Sequence, residues 1–218
     1  TDGGDSWKLI LHTNDTSGVG DMVMDPTNPN KLLVNMYQHR RTPWSLKGGG
    51  SGSGLYITHD AGRTFKKLGK EEGLPAGDYG RIGIAISHNE PNRIYAMVEA
   101  TKNGLYRTDD GGLKWQLVNS EPGVVTNRAF YFQDIAVDPK NENRLYNINQ
   151  MITMSEDGGK TFPTTVIPYS GIHPAHHAWW IHPNDPSFII DGNDGGIAIT
   201  RDRGKTWQFD EKLPLGQF

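Results

Sequence analysis

The chain has 218 residues and no cysteine, so disulfide bonds, thiol catalysis and cysteine-bound zinc are excluded. Its 22 lysine and arginine residues against 25 aspartate and glutamate residues give a formal net charge of −3, which argues against nucleic acid or an anionic membrane surface as a partner. No apolar run approaches the roughly 18 residues of a membrane span. Abundant glycine (27) and proline (13), with a mean hydropathy of −0.61, indicate short strands separated by many turns.

One short turn recurs five times: a hydroxyl residue, Asp, Gly, a further hydroxyl residue or lysine, and an aromatic residue. The aromatic residues follow one another at 58, 50, 47 and 45 residues, steps that indicate a propeller or a solenoid. The Asp carboxylate can accept N–H groups across the turn, and the Gly supplies a positive φ. The copies are Asp2, Gly4, Ser6 and Trp7; Thr58, Asp60, Gly62, Thr64 and Phe65; Thr108, Asp110, Gly112, Lys114 and Trp115; Ser155, Asp157, Gly159, Thr161 and Phe162; and Thr200, Asp202, Gly204, Thr206 and Trp207.

A second motif alternates with this turn and consists of an apolar strand, a Pro/Asn turn and another apolar strand. It occupies residues 21–32, 83–94 and 134–145, with a weaker copy at 178–188. Joined to the hairpin that follows, each copy gives a unit of four strands, which is a propeller blade. The sequence therefore predicts an all-β fold, a β-propeller segment that is part of a larger propeller and forms an open arc. In chain order, residues 1–11 end a preceding blade, 12–68, 69–118, 119–166 and 167–210 form four blades, and 211–218 begin the next.

The two motifs resemble a known group of proteins. The turn is similar to the Asp-box, or BNR repeat, of sialidases, sortilin-type receptors and xyloglucan-cleaving glycoside hydrolases. Its combination with the second motif most resembles sortilin/VPS10-like and xyloglucanase-like bacterial propeller proteins. The stretch from His176 to Pro186, followed by Asp191 to Gly196, looks like secreted bacterial proteins described as glycosyl hydrolases by similarity. The resemblance implies a propeller fold and an extracellular or periplasmic location.

Two carboxylates are candidate catalytic groups. Asp21 and Asp134 begin the first strand of their blades, where the other two blades carry Gly83 and Ala178. First strands lie nearest a propeller's channel, so both acids are expected to face one space, and glycoside hydrolysis ordinarily needs two carboxyl groups. The resemblance to xyloglucan-cleaving enzymes implies a catalytic aspartate within the sequence Gly-Asp-Ile-x-Ile-Asp-Pro. Asp134 matches that context except for Gln133. Asp21 is the possible second acid.

A histidine and tryptophan cluster is a candidate ligand surface. His173, His176, His177 and His182 surround Trp179 and Trp180. Strand alternation sends His176 and His177 to opposite faces, and no metal-binding spacing occurs, so neither a metal nor another cofactor is predicted. Exposed Trp and His at a channel mouth would stack on sugar rings or side chains.

The loop 39–53 is the one long insertion within a blade. It carries Arg41 and Trp44 and runs into a glycine-rich stretch at 48–54. Such residues on a loop over a rigid scaffold are typical of recognition. A flexible, solvated connector is the equal alternative.

Three functions follow as hypotheses. The leading one is an exported recognition scaffold within a larger multidomain protein, binding a carbohydrate or peptide at its channel face. Its ligand-binding residues would be Trp179, Trp180, His176, His177, Arg41 and Trp44. The alternative is a glycoside hydrolase acting on a β-glucan or xyloglucan-type polysaccharide through Asp134 and Asp21. A third hypothesis is a structural module that packs against further blades or another subunit.

Overall fold

The computed structural model describes residues 2–126, 128–167 and 171–210, and these form four antiparallel sheets in chain order. Within each sheet, consecutive strands pair side by side, and one extra hairpin strand is attached to the first sheet. The first strands of successive sheets, β1, β6, β10 and β14, pack against one another in order. The chain therefore folds as four β-propeller blades with these strands innermost. Residues 211–218, predicted to begin a further blade, lie outside the described residues.

The first two blades are built as follows. The first contains β1 (Ser17–Asp25), β2 (Asn28–Thr42), β3 (Ser45–Gly48), β4 (Gly54–Thr58) and β5 (Lys66–Leu68). A 3-10 turn at Lys70–Glu72 follows it, and the second blade contains β6 (Ile82–Ile86), β7 (Ile94–Val98), β8 (Gly104–Thr108) and β9 (Gln116–Asn119).

The last two blades repeat the plan. The third contains β10 (Asp134–Asp138), β11 (Asn141–Ile148), β12 (Thr153–Ser155) and β13 (Thr164–Thr165), and the fourth contains β14 (His176–Ile181), β15 (Ile189–Asn193), β16 (Gly196–Thr200) and β17 (Gln208–Asp210). The predicted blade ranges also include connecting loops, and those boundaries stay predictions. Among the described residues, no helix is long and apolar enough to cross a bilayer.

Three apolar cores lie between successive blades. Strands such as β6 and β7 are five residues long and buried on both sides, so a blade buries its two faces against its neighbours. The first core joins blades one and two, the second joins two and three, and the third joins three and four. Representative members of the three cores are Leu33, Leu55, Ile84 and Tyr106; Tyr95, Leu105, Ile135 and Val137; and Tyr146, Ile152, Ile189 and Ala198.

The face of the first blade that points away from the second blade is less covered. Met22 and Met24 on β1 are 56% and 57% exposed, whereas Ile84 and Ile86, at the equivalent register of β6, are buried against the preceding blade. The side chain of Ile10 lies against Gly62 in the first blade, just as the side chain of Ile57 in the first blade lies against Gly112 in the second. Residues near Ile10 therefore occupy the position that the preceding blade occupies in the later repeats.

The recurring turn is held by one hydrogen-bond pattern. In the second copy, the Thr58 hydroxyl donates to Asp60 at 2.7 Å and accepts the N–H of Gly62 at 3.0 Å. The carboxylate of Asp60 accepts the N–H and the hydroxyl of Thr64 at 2.9 and 2.6 Å. The Thr64 hydroxyl is the largest cause that holds the pKa of Asp60 below its usual range. The hydroxyl of Thr206 does the same in the last copy and lowers the pKa of Asp202 to about 2.

A backbone bond connects this turn to the Pro/Asn turn of the same blade. The residue after the turn aspartate donates its N–H to a backbone carbonyl within a few residues of the start of the blade's second strand. The four bonds, 2.9–3.0 Å long, run from Ala61 to Asn30, Gly111 to Asn92, Gly158 to Asn143 and Arg203 to Ser187. The two sequence motifs therefore meet at one end of every blade.

The insertion 39–53 is a β-hairpin with an anchored base. Strands β2 and β3 pair from His39–Gly48 to Thr42–Ser45, and the N–H of Gly50 donates to the carbonyl of Tyr79 in the loop before β6. A Cβ on Gly49 would meet that same carbonyl, and Gly49 has a φ of +85°. The glycines here let two backbones approach closely, so the solvated-connector alternative does not describe the base of the hairpin.

Replacing a turn aspartate tests this account of the fold. Asp157→Ala removes the acceptor of the Thr161 N–H at 3.0 Å and of the Thr161 and Ser155 hydroxyls at 2.7 and 2.8 Å. We expect a loss of about 1–2 kcal/mol in the free energy of unfolding, because the turn is solvent-exposed and water replaces part of the bonding. Urea titration followed by circular dichroism measures it. Lys160→Ala, beside the same turn, is the control and should cost under about 0.5 kcal/mol; equal losses would contradict the assignment.

Candidate functional site

Four ionisable side chains lie near one another on or beside the first strands of the four blades, with Asp21 within β1 rather than at its start. Asp21 lies on β1, Arg81 precedes β6, Asp134 begins β10 and His177 lies on β14. We call these four residues the mouth cluster. The structure thus brings together the two predicted acids and one predicted histidine, and it adds an arginine that was not predicted.

Asp21 is held by backbone donors. One carboxylate oxygen accepts the N–H of Ile84 in the next blade at 2.7 Å, and the other accepts the N–H of Met22 at 2.7 Å. Burial raises the pKa of Asp21 and is the largest cause, opposed by these two hydrogen bonds. The negative charge of Asp134 also raises it. Asp21 therefore joins two blades, with both oxygens already in use.

Asp134 has the same register position but different partners. The Nη2 of Arg81 lies 3.3 Å from its Oδ1, and its side chain is 35% exposed. Burial raises the pKa of Asp134 above the usual aspartate value, while the charges of Arg81 and, when protonated, His177 oppose that rise. Asp134 is thus an accessible carboxyl group whose proton affinity is increased.

Arg81 reaches Asp134 because β6 and β10 approach closely. Gly83 stands where Asp21 and Asp134 stand in their blades, and a Cβ there would collide with the carbonyl of Gln133. The guanidinium also donates from Nη1 to the carbonyl of Tyr131 at 3.4 Å, and the backbone N–H of Arg81 donates to Glu99 at 2.8 Å. The second blade alone has a glycine at this register, with neither a carboxyl group nor a Cβ. An arginine two residues before that glycine is the sequence signal that could have identified Arg81.

His177 is fixed by an acid and by aromatic rings. Its Nε2 lies 3.1 Å from an oxygen of Asp194, in the turn between β15 and β16. Its ring stacks on Phe132, with centroids 5.1 Å apart, and meets Tyr131 edge-on at 4.7 Å. Phe132 is two residues before Asp134, so His177 packs against the segment that carries the carboxyl group.

Of two further predicted ligand-binding residues, His176 is buried and Trp179 is partly buried. His176 is 1% exposed, and its Nδ1 lies 2.9 Å from both oxygens of the buried Asp191. Trp179 packs in the third core against Tyr146 and Trp207. His176 therefore offers no face to a ligand, whereas the partly exposed Trp179 also lines the cavity between the first strands. A bulge between His176 and Ala178 interrupts the alternation that would otherwise place these two residues on opposite faces of β14.

Trp180 borders a cavity between the first strands. The cavity has a volume of about 320 Å³ and is lined mainly by apolar side chains, among them Val23, Ile86 and Ala136. Trp180 is 47% exposed, and its ring also meets His182 and Phe188 edge-on. The equivalent residues of the other blades are the smaller Val23, Ala85 and Ala136. A broad aromatic face is therefore available beside the channel.

Arg41 and Trp44 lie apart from these residues on the β2–β3 hairpin. Trp44, in the turn, is 85% exposed, and Arg41 is exposed beside it. At the hairpin's base, burial raises the pKa of Tyr37, followed by the charge of Glu99 and opposed by that of Arg81. The base is therefore near Arg81, but no contact of Arg41 or Trp44 with the mouth cluster occurs in the described part of the chain. Nor do the described residues include any group of three or more His, Asp or Glu side chains that could hold a metal ion.

Comparison with known proteins points to xyloglucan-cleaving enzymes. No protein-family model matches the chain. It is 23% identical over 184 residues to a probable oligoxyloglucan-reducing end-specific xyloglucanase of Neosartorya fischeri, which covers 81% of this chain and 20% of the relative. It is 25% identical over 230 residues to a xyloglucanase of Acetivibrio thermocellus, which covers 89% of this chain and 25% of the relative. The chain thus spans a fifth to a quarter of the length of these relatives.

Solved structures show the same fold. An ancestral GH74 enzyme matches with a TM-score of 0.62 at 19% identity, over 95% of this chain and 27% of that one. The GH74 xyloglucanase from Xanthomonas campestris matches with a TM-score of 0.51 at 15% identity, over 92% of this chain and 39% of that one. The predicted all-β fold of about four four-stranded blades is confirmed, and these neighbours are larger propeller proteins.

Proposed function

We propose that this chain is part of a glycoside hydrolase acting on a β-glucan or xyloglucan-type polysaccharide, with Asp134 as one catalytic carboxyl group. The observation that carries the proposal is the contrast between two acids at one register position. Asp21 uses both oxygens on backbone donors, whereas Asp134 is accessible and faces a cation. The curated relatives named above are xyloglucanases, which supports the polysaccharide class.

The environment of Asp134 suits a general acid. A carboxyl group whose pKa is raised by burial keeps a proton at higher pH and can give it to the departing glycosidic oxygen. Water then completes the hydrolysis: its hydroxyl goes to the sugar carbon, and its proton goes to the second carboxyl group. Arg81 is 21% exposed and can orient the carboxyl group through its 3.3 Å contact.

Asp21 remains the candidate second carboxyl group. Its position on the neighbouring inner strand supports this role, and its two accepted N–H bonds oppose the rise in its pKa that burial causes. Those same bonds make it structural. Substitution of Asp21 is therefore expected to change both stability and rate.

Hydrolysis is tested by released reducing ends. We expect the full-length gene product to release them from xyloglucan, and Asp134→Asn to lower the rate at least about 100-fold with an unchanged melting temperature, because a general acid contributes that much. Mixed-linkage β-glucan and starch serve as substrate controls. Full activity in Asp134→Asn would reject the residue assignment, and no release by the natural protein would reject the function.

Asp21→Asn is the matched control, because it is the same substitution at the same register position. An amide accepts one of the two N–H groups and faces the other with its own N–H, so we expect a loss of about 1–2 kcal/mol in unfolding free energy. Thermal melting of the two variants in parallel measures the difference. Equal melting temperatures would mean that the Ile84 bond does not stabilise the blade interface.

A second candidate function is recognition without catalysis. Trp180, Tyr131 and Phe130 are 47%, 41% and 40% exposed near the channel, and aromatic faces of this kind stack on sugar rings. His177 adds a polar contact beside Tyr131. Arg41 and Trp44 stay in this proposal as a separate contact on the hairpin, and the partly exposed Trp179 stays as part of the cavity lining, whereas the buried His176 leaves it.

Recognition is tested by tryptophan fluorescence. We expect xyloglucan oligosaccharides to quench the emission, and Trp180→Ala to weaken binding about five- to tenfold through the lost stacking energy. Trp7→Ala is the control, since Trp7 is 91% exposed on the first turn, away from the inner strands. Unchanged affinity in Trp180→Ala would remove this face from the proposal.

Three finer features belong to the same proposal. The turns correspond to the Asp-box in residue types and spacing, which links the chain to sortilin-like as well as xyloglucanase-like propellers. An extracellular or periplasmic location agrees with a polysaccharide substrate. Further blades, from the same polypeptide or another subunit, would complete the surface around the mouth cluster.

A further inference from the structure

A polar cavity lies between the base of the β2–β3 hairpin and the second blade, and none of the four mouth-cluster residues lines it. Its volume is about 480 Å³, within the range of about 300–1,000 Å³ that small-molecule sites occupy. The hairpin and the residues after it contribute Gln38, Lys47 and Ser51, and the second blade with its preceding loop contributes Asp78 and Glu99. We call this space the hairpin cavity.

Backbone hydrogen bonds hold the walls of the hairpin cavity in place. The N–H of Gly50 donates to the carbonyl of Tyr79 at 3.2 Å, and the N–H of Gly80 donates to the carbonyl of Glu99 at 2.8 Å. A Cβ on Gly50 would overlap the amide of Gln38, and a Cβ on Gly80 would overlap the carboxylate of Glu99. Glycine at these two positions therefore leaves room for both polar side chains within a fixed backbone frame.

Gln38 and Glu99 are each held through one oxygen. The Oε1 of Gln38 accepts the N–H of Gly52 at 3.0 Å and the side-chain amide of Asn14 at 3.4 Å. The Oε2 of Glu99 accepts the N–H of Arg81 at 2.8 Å. Within the described part of the chain, the Nε2 of Gln38 and the Oε1 of Glu99 have no hydrogen-bond partner. One oriented donor and one oriented acceptor are thus available to a ligand.

Lys47 and Asp78 add a second donor and a second acceptor. Both residues are exposed, and neither makes an ion pair or a side-chain hydrogen bond with any residue that the structure describes. The cavity therefore combines an ammonium group and an amide N–H with two carboxylates. The ammonium group would repel a divalent cation, and the carboxylates would repel an anion. Hydroxyl groups are neutral and both donate and accept, so they match all four groups.

We propose that the hairpin cavity is a second carbohydrate-binding site, which holds a neutral sugar unit of a polysaccharide. Gln38 and Lys47 donate to the sugar oxygens, and Asp78 and Glu99 accept from the sugar hydroxyl groups. Glu99 also bonds to Arg81, so a sugar bound here lies beside the mouth cluster without supplying or contacting a reacting group. The choice of a xyloglucan-type sugar rests on the proposed function, whereas the polar ligand site rests on the cavity alone.

Isothermal titration calorimetry with a xyloglucan heptasaccharide tests the site in the full-length gene product, with Asp134→Asn present to slow hydrolysis. We expect Lys47→Ala and Asp78→Ala each to weaken binding about five- to tenfold, because each removes a hydrogen bond from a charged group to the sugar. Asp78→Asn keeps an accepting oxygen and should weaken binding less. Melting temperatures should stay unchanged, since neither side chain has a partner among the described residues.

Lys140→Ala and Asp5→Ala are the matched controls, because both residues are exposed and lie outside the cavity. Equal affinities in Lys47→Ala, Asp78→Ala and the two controls would overturn the proposal, as would a complete absence of sugar binding. Glycine and calcium chloride are titrated as further probes. Binding of either one that Asp78→Ala removes, without sugar binding, would assign the cavity to a zwitterion or a cation and overturn the sugar site.

Hydrolysis assays on protein that retains Asp134 separate this inference from the proposed function. If xyloglucan is hydrolysed, Lys47→Ala and Asp78→Ala should raise KM about five- to tenfold with little change in kcat, because the lost contacts bind substrate without reacting. Sugar binding that depends on the cavity, without any hydrolysis, supports the site and rejects the catalytic function. Hydrolysis with unchanged KM and unchanged binding in both variants overturns the site alone.

Discussion

Each blade buries its apolar faces only against the blades beside it, and the rest of the structure depends on this stacking. The three cores place large side chains from one blade between those of the next, and polar side chains converge at the inner strands. Rigid packing of this kind is what fixes Asp21, Asp134, Arg81 and His177 relative to one another although they are far apart in sequence. The chemistry of the site is thus a product of the stacking.

The repeat also explains how one backbone position carries four different environments. Asp21, Gly83, Asp134 and Ala178 occur at the same register, but only the first bridges to the next strand's backbone. At Gly83 the missing side chain lets two inner strands come together, which brings Arg81 to the third blade. Asp21 and Asp134 therefore occupy the same position in the repeat, but their different neighbours make the first a structural acid and the second an accessible one.

Spacing alone was sufficient to predict the blades and their turns, because both depend on local hydrogen bonds between residues a few positions apart. The predicted meeting of Asp21 and Asp134 followed from their shared register. The burial of His176 did not follow, nor did the packing of Trp179 in the third core, because a bulge between His176 and Ala178 interrupts the alternation along β14. The partners Arg81 and Asp194 come from other blades or turns, so only the three-dimensional stacking brings them to the site. The glycine-rich stretch near Gly50 was ambiguous for the same reason: its partner, Tyr79, belongs to another loop.

The backbone bond between the two turns of each blade has a consequence for how such a chain originates. From Ala61–Asn30 to Arg203–Ser187, every bond closes within a single repeat and needs nothing from the neighbouring one. A duplicated gene segment that encodes one repeat would give a blade with its own internal hydrogen bond. That blade would present the same two faces to the blades on either side. Tandem duplication can therefore lengthen the protein in whole modules, and single substitutions such as those at Gly83 and Ala178 can then specialise one module while its siblings keep the scaffold intact.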